Sequence, residues 1–307
     1  MRKAAEPIER NKSRARGTTV KRVGLLANPE KIASRQLIRR VARAIEKEGR
    51  AVLADSGTSR LADLSVTTFP DVTSLAREVD LLLVFGGDGT MLSAARSVAG
   101  LPTPILGVNI GSLGFLTEIA SASVTEQLPA IWQGDFTIEE RPLLEASGNI
   151  AQDDLFQLAL NDFVISRGAT SRLIELEVQV NGHALTNYRA DGLIISSPTG
   201  STAYSLAAGG AIVSPDAAVL TLTPICPHTL SNRSVIVSND SELCVKVQSQ
   251  KVEIFLTADG QVQVPVFFGN EICVRKSDKS VRLVRLPNSS FFQTLRQKLG
   301  WRGSNVN

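Results

Sequence analysis

The chain has 307 residues, of which 43% are hydrophobic and 21% charged, and its formal net charge is +3. That length accommodates one large domain or two of ordinary size, and the composition is that of a globular protein. No apolar run reaches the roughly 18–20 residues of a membrane span, and aromatic residues, at 5%, are too sparse for a base-stacking nucleic-acid platform.

Charge is distributed unevenly. Residues 1–22 carry Arg2, Lys3, Arg10, Lys12, Arg14, Arg16, Lys21 and Arg22 against Glu6 and Glu9, a local charge of +6 that leaves −3 for the rest. Such a segment reads as a solvated, disordered tail, with contact to nucleic acid or an anionic surface as the alternative. It lacks the apolar stretch of a secretory signal, and its two glutamates argue against a transit peptide. Val23 to Asn28 is a short buried strand ending at an Asn-Pro turn. In Glu30 to Glu48, Leu37, Ile38, Val41 and Ile45 recur at helical steps, and Gly49 closes the helix. Ala51 to Ala54 is a candidate strand and Asp71 to Val79 a short helix with Leu75 and Val79 inward.

The stretch Leu81 to Ala99 organises the first half. An apolar run, Leu81 to Phe85, suits a parallel strand buried on both faces. Gly86-Gly87-Asp88-Gly89-Thr90 follows, and a helix starts at about Thr90, ending at Gly100 before Pro102. Glycines accept positive φ and bring bare backbone near a ligand, and a helix N-terminus attracts phosphate. Asp88 is the residue out of place in an anion site; it makes sense beside Mg²⁺, or as the acceptor of a proton from a hydroxyl that attacks phosphorus. A plain strand-to-helix turn is the alternative. Pro104 to Ile110 is a further strand, followed by Gly111-Ser112-Leu113-Gly114-Phe115. Alternating strands and helices imply a doubly wound parallel sheet with ligands at the strand ends where Asn28, Gly86 to Thr90 and Asn109 to Phe115 lie.

Beyond Thr117 the pattern changes. After a helix over Val124 to Gln133, short β-branched runs dominate. Leu173 to Val180 and His183 to Tyr188 flank the hairpin pair Asn181-Gly182. Val219 to Leu222, Ser234 to Val237, Leu243 to Val247, Val252 to Leu256, Gln261 to Val266, Glu271 to Val274 and Val281 to Arg285 read likewise. The second part is therefore an all-β sandwich, and Phe291 to Leu299 is a closing helix that packs back on the first domain. The expected division is a tail over 1–22, an α/β phosphate-binding domain over 23–118, a β-rich domain over 119–288 and the returning helix over 289–307. Cys226, Cys244 and Cys273 are odd in number without paired spacing and are expected as buried free thiols of a reducing compartment. With only His183 and His228, a zinc site and a Ser/His triad have little support.

Two further stretches carry chemistry. Leu158 to Gly168 places Asn161-Asp162 in a strand-like run, where an amide and a carboxylate can read a purine edge or ribose hydroxyls; an Asx turn is the alternative. Arg189 to Ala211 runs as a strand, then a hydroxyl-rich turn over Ser197 to Thr202, then a small-residue helix with Tyr204. Around Ser201 the window is Thr199-Gly200-Ser201-Thr202-Ala203, which is no nucleophile elbow.

Taken in order, Gly86-Gly87-Asp88-Gly89-Thr90, Asn161-Asp162, the run from Asp191-Gly192-Leu193 through Pro198 to Tyr204, Pro227-His228-Thr229-Leu230 and Asp259-Gly260-Gln261 resemble the motifs of the NAD kinases. The resemblance runs from about Val23 to Trp301. Its first motif is shared with lipid kinases and phosphofructokinases, so a lipid kinase and a dinucleotide sensor without turnover stand as alternatives; the hydroxyl-rich motif is particular to NAD kinases. The resemblance implies transfer of the terminal phosphate of ATP to the 2′-hydroxyl of the adenosine ribose of NAD, with Mg²⁺ or another divalent metal accompanying the nucleotide. It implies Asp88 as the base and Gly86, Gly87, Gly89 and Thr90 around the phosphates. Gly89 and Phe115 would lie against the dinucleotide, Asn161 and Asp162 would hold its adenosine part, and Arg172 and Arg189 would face phosphates or a neighbouring subunit. Asp191 would hold the nicotinamide end; Thr199, Thr202, Ala203, Tyr204, Ser205, Leu206 and Ala207 would line the pocket, and Gln261 would close it. It further implies a cytoplasmic homodimer or homotetramer without nucleic-acid or membrane partners. Ser197 stands where threonine is frequent, Asp162 where glutamate also occurs, and the basic tail has no counterpart in the family.

Overall fold

The computed structural model describes residues 20–112, 114–150, 153–169, 172–228, 233–287 and 289–301. The tail up to residue 19, Leu113 and Thr229-Leu230 lie outside the described residues. Two units emerge, one running to Glu140 and resuming at Arg282, the other spanning Arg141–Val281. Among the described residues no helix is long and apolar enough to cross a membrane.

The first unit begins with β1 (Arg22–Ala27), α1 (Arg35–Lys47), β2 (Ala51–Asp55), α2 (Ser56–Ala62), β3 (Thr67–Phe69) and α3 (Val72–Glu78). It continues with β4 (Leu81–Gly86), α4 (Asp88–Ser97), β5 (Ile105–Asn109), β6 (Ile119–Ala120) and α5 (Val124–Trp132). The strands pair in parallel in the order β3-β2-β1-β4-β5, with β6 on β5. β4 lies inside that sheet, and Leu81 to Phe85 are fully buried, as a parallel strand covered on both faces requires. α1 buries Ile38, Val41, Ala42 and Ile45 at three- and four-residue steps. It starts later than the expected Glu30, after a 3-10 turn over Ile32–Ser34, and stops before Gly49, whose φ is +74°.

α2 and β3 escaped the sequence pattern. α2 is anchored by its cap rather than by an apolar stripe: the Asp55 carboxylate accepts the N–H groups of Gly57 and Thr58, and the buried Thr58 hydroxyl accepts the N–H of Ala27. α5 buries Val124, Leu128 and Ile131 in the cluster that holds β1, β2 and β4. α5 therefore belongs with the first unit, which runs to Glu140.

The second unit holds β7 (Thr137–Ile150), which begins before its boundary, then β8 (Asp153–Ala159), β9 (Asp162–Arg167), β10 (Ile174–Val180), β11 (His183–Ala190) and β12 (Gly192–Ser196). A 3-10 turn over Thr199–Thr202 and the one-turn α6 (Tyr204–Ala207) follow. Next come β13 (Val219–Ile225), β14 (Val235–Ser238), β15 (Leu243–Val247), β16 (Ile254–Ala258), β17 (Val262–Val266) and β18 (Glu271–Arg285). One antiparallel sheet runs β14-β13-β12-β9-β16-β17; the other runs β11-β10-β15-β18, with β7 on β18 and β8 on β7. Phe163, Ile165, Leu193, Ile195 and Leu256 from the first sheet share one core with Leu176, Val178, Val245 and Ile272 from the second, which makes the unit a sandwich.

Asn181 and Gly182 turn the β10–β11 hairpin with φ of 51° and 76°, as their dipeptide demands. The run read as one strand around Asn161-Asp162 is broken: β8 ends at Ala159 and β9 starts at Asp162. Conversely, the two runs ending at Val274 and Arg285 are one fifteen-residue strand, β18. Cys244 and Cys273 are register partners on β15 and β18 and form a disulfide, and Cys226 is exposed. This overturns the expectation of three buried free thiols. Spacing along the chain cannot show which residues adjacent strands set opposite one another.

The last residues of β18 return to the first unit, where Leu283 pairs in parallel with Ile105. There Arg285 donates to Glu139 at 2.7 Å and to Glu118 at 2.9 Å. Burial alone would lower the guanidinium pKa, but the two carboxylates outweigh it and raise it. α7 (Phe291–Leu299) closes the unit, burying Leu295.

Candidate active site

The glycine turn joins β4 to α4, and Asp88 is the first residue of that helix, two positions earlier than its apolar pattern suggested. The Gly87 carbonyl accepts the N–H groups of Thr90 and Met91, which starts the helix. None of Gly86, Gly87 and Gly89 has a positive φ. Gly86 is required instead by close approach, since a Cβ there would lie 2.2 Å from Thr90 Oγ1; Gly87 faces open space. A helix end and uncovered backbone thus meet at one turn, the arrangement that receives phosphate oxygens.

Asp88 itself is tightly held. Its Oδ2 accepts the N–H of Phe115 at 2.9 Å and its Oδ1 the N–H of Leu116 at 3.0 Å. A Cβ on Gly114 would lie 2.1 Å from Oδ1 and 2.8 Å from the buried Thr117 hydroxyl. The loop after β5 is therefore moulded on the carboxylate. An ionised carboxylate has about four lone-pair sites, so two amide bonds fix its plane and leave acceptor capacity for a substrate hydroxyl. The same loop touches α7: the Phe291 ring is 6.1 Å from that of Phe115, and Lys298 Nζ is 4.9 Å from the Phe115 centroid.

In the second unit the expected residues group at the two ends of the β9–β12 ladder. At one end Asp259 organises the backbone, accepting the N–H groups of Leu160, Asn161 and Asp162. The Asn161 carbonyl accepts the Ser197 N–H, and the Ser197 hydroxyl donates to the Leu160 carbonyl. Asp162, opposite Ser196 in register, is 4% exposed. Burial first, and then the charge of Asp259, push its carboxyl up to about 7. Thr199 starts the following 3-10 turn, and its hydroxyl accepts from Arg141 at 3.0 Å. Thr202 donates to the Thr199 carbonyl, Ala203 joins the turn to α6, and Tyr204 is 47% exposed. Ser205 is buried against Thr223 at 3.0 Å, Leu206 is half-buried, and Ala207 and Gln261 are exposed.

At the other end Asp191 precedes β12 and accepts from Arg167 Nε at 2.5 Å; this bond raises the guanidinium pKa. The run from Asp191 to Ser196 spans roughly 17 Å of strand, a length comparable with an extended dinucleotide. Two expected residues stand apart from these groups: Arg189 is exposed on β11, 3.9 Å from Glu175, and Arg172 is exposed before β10.

Three contributors were not singled out from the sequence. Asp259 was noted within a motif but given no role, although Asp259 and Gly260, with φ of 51° and 67°, form the β16–β17 turn that aims its carboxylate. Arg141 was missed because β7, rich in charged residues, was not recognised as a strand. Gly114 carries no signal until Asp88 is placed beside it.

Comparison with known proteins identifies the family. Residues 23–136 match the family model described as the ATP-NAD kinase N-terminal domain, and residues 160–286 that of the ATP-NAD kinase C-terminal domain. The chain is 44% identical over 250 residues to an NAD kinase of Geobacter metallireducens, covering 81% of this chain and 87% of the relative. It is 41% identical over 280 residues to an NAD kinase of Heliobacterium modesticaldum, covering 90% and 98%. Among solved structures it resembles yeast NADH kinase complexed with NADH, with a TM-score of 0.85, 26% identity and coverage of 94% and 90%. It also resembles an NAD kinase from Archaeoglobus fulgidus in complex with ATP, with a TM-score of 0.71, 25% identity and coverage of 92% and 100%. Two domain matches in the family's order, relatives alike over most of their length and a shared fold all lead to one assignment: this chain belongs to the ATP-NAD kinase family.

Proposed function

We propose that this NAD kinase moves the terminal phosphate of ATP to the adenosine 2′-hydroxyl of NAD with Asp88 as the base. The observation that carries this reading is the Asp88 carboxylate at the start of α4, each oxygen held by one backbone N–H. Phosphoryl transfer asks the protein chiefly for positioning and charge neutralisation. Gly86, Gly87, Gly89 and Thr90 offer backbone to phosphate oxygens, and a fixed carboxylate receives the proton as the hydroxyl attacks. Such proton transfer contributes typically about 10²–10⁴-fold.

Asn161 and Asp162, with the turn from Thr199 and the α6 residues Tyr204 to Ala207, are assigned to the adenosine part, and Asp191 to the nicotinamide end. A yeast relative was solved with NADH and an archaeal one with ATP, which supports both substrates here. Around the glycine turn, Asp88 is the carboxylate available to a divalent metal. Among the described residues the Glu242, Cys244 and Cys273 group has metal-ligand proximity, and its sulfurs are joined in a disulfide. A single carboxylate at the glycine turn fits a metal that enters with the nucleotide and is held mainly by its phosphates. When bound, it would neutralise triphosphate charge.

We also assign a homodimer or homotetramer in the cytoplasm. The edge strand β11 exposes His183 to Asn187, and β14 exposes Ile236, surfaces that a second copy would cover. In a reducing cytoplasm the Cys244–Cys273 bond would exchange with the thiol pool. Sedimentation at micromolar concentration tests the assembly.

The catalytic assignment is tested with Asp88→Asn. NAD binding, followed by calorimetry, should persist, and NADP formation from ATP and NAD should fall by more than about 10²-fold. Undiminished NADP formation in a variant that still binds NAD removes Asp88 from the base role.

A further inference from the structure

We propose that Phe291 and Lys298 of α7 are positioning residues for the Asp88 carboxylate, acting through the ring and backbone of Phe115. The inference rests on the assignment of Asp88 as the base. Phe291, Leu295 and Lys298 fall at i, i+4 and i+7 and so share one face of α7. Of the three, Leu295 alone is buried at 4% exposure, and Phe292, on another face, is 62% exposed. The helix thus buries one leucine and brings its other two face residues to the Phe115 ring, Phe291 also meeting Phe292 edge-on at 5.4 Å. The Phe291 ring meets Phe115 at 6.1 Å with an interplanar angle of 40°, and Lys298 Nζ stands 4.9 Å from the same centroid. Both contacts suit an aromatic quadrupole, the first as a tilted pair and the second as a cation over the ring.

Phe115 is also the residue whose N–H holds Asp88 Oδ2, with Leu116 on Oδ1. Gly114, the residue before Phe115, packs so closely on the carboxylate that it leaves no room for a Cβ. The loop is thus packed on the Asp88 carboxylate at Gly114 and bonded to it by Phe115 and Leu116, and α7 braces that loop at the Phe115 ring. A displacement of about 1 Å at a reacting group can cost on the order of 10²-fold in rate. A partial loosening from one lost ring contact should cost less, and should fall on turnover rather than on ATP affinity.

The test uses the full-length enzyme with ATP and NAD, assayed well below each variant's unfolding temperature. Phe291→Ala and Lys298→Gln should each lower kcat about three- to tenfold with the KM for ATP unchanged within about twofold, and Lys298→Arg, which keeps a cation over the ring, should retain the parent kcat. A role in stability alone would leave kcat at the parent value in both Lys298 variants while they are folded. Should Phe291→Ala fail to fold, the two Lys298 variants carry the test alone. Parent kcat in Lys298→Gln, or equal losses in Lys298→Gln and Lys298→Arg, overturns the proposal. Asp88→Asn is measured in parallel. Full turnover there removes the base assignment and the proposal with it. Loss there, with parent turnover in the α7 variants, removes only the proposal.

Discussion

Replacing Asp162 with asparagine should remove a pH-dependent weakness from the β sandwich. Asp162 is 4% exposed, and burial together with the Asp259 carboxylate pushes its pKa from 3.8 to about 7. In the unfolded chain the group ionises near its ordinary value, so between about pH 4 and pH 7 the folded state holds a proton that the unfolded state has released. Stability falls with rising pH wherever the folded state binds more protons. Below pH 4 both states are protonated and no penalty applies; above pH 7 both are ionised and the whole penalty stands. A shift of about three units at about 1.4 kcal/mol per unit amounts to roughly 4 kcal/mol. The substituted amide is neutral throughout. Urea unfolding followed by far-UV circular dichroism, from pH 4.5 to 8.5, gives the difference between variant and parent. Groups remote from Asp162 cancel in that difference, which should grow in favour of Asp162→Asn by several kcal/mol as pH rises. Parallel curves would refute the reasoning, showing that Asp162 ionises in the fold much as it does in the unfolded chain.

Gly114→Ala should lower turnover by about 10²-fold, read as kcat for NADP formation, because its Cβ would lie 2.1 Å from Asp88 Oδ1 and must displace the carboxylate or the loop. Glu118→Ala removes a partner of Arg285 whose side chain is 3% exposed, together with the acceptor of the Leu286 N–H, and should destabilise the first unit by about 3 kcal/mol in urea unfolding followed by tryptophan fluorescence. Reducing the Cys244–Cys273 disulfide opens a link between residues 29 apart, and should lower the stability of the sandwich by about 3–4 kcal/mol on the loop-entropy scale, measured as the difference in urea midpoint with and without a phosphine reductant.

The parts that were legible in the sequence are those whose cause is local. A strand buried on both faces is written as an apolar run, and Leu81 to Phe85 is one. The Asn181-Gly182 hairpin follows from backbone conformations that few other pairs adopt. Elements held by single contacts to distant residues were not legible: α2 depends on the Asp55 cap and on a hydroxyl bonded to Ala27, and β7 carries Glu139, Glu140 and Arg141 in place of clean alternation. The candidate site divides along the same line. Asp88 could be named because a carboxylate among glycines contradicts its surroundings. Asp259 could not, since its work is to accept three amides from residues almost a hundred positions earlier.

The glycines show why the reason for a residue can be misread even when its position is read well. Positive φ is the property that singles glycine out in sequence, yet none of Gly86, Gly87 and Gly89 uses it. Gly86 yields space to Thr90, and Gly114 yields space to Asp88. The turn is thus defined less by unusual backbone than by what must fit against it. A carboxylate that fills the space left by one glycine, and is held by the two amides that follow it, has little freedom to reorient. A fixed acceptor avoids the reorganisation that a mobile side chain would add to each turnover. The two amide bonds restrain Asp88 in this way, so under the proposed base role a substitution that frees the carboxylate should cost turnover even where every substrate contact survives.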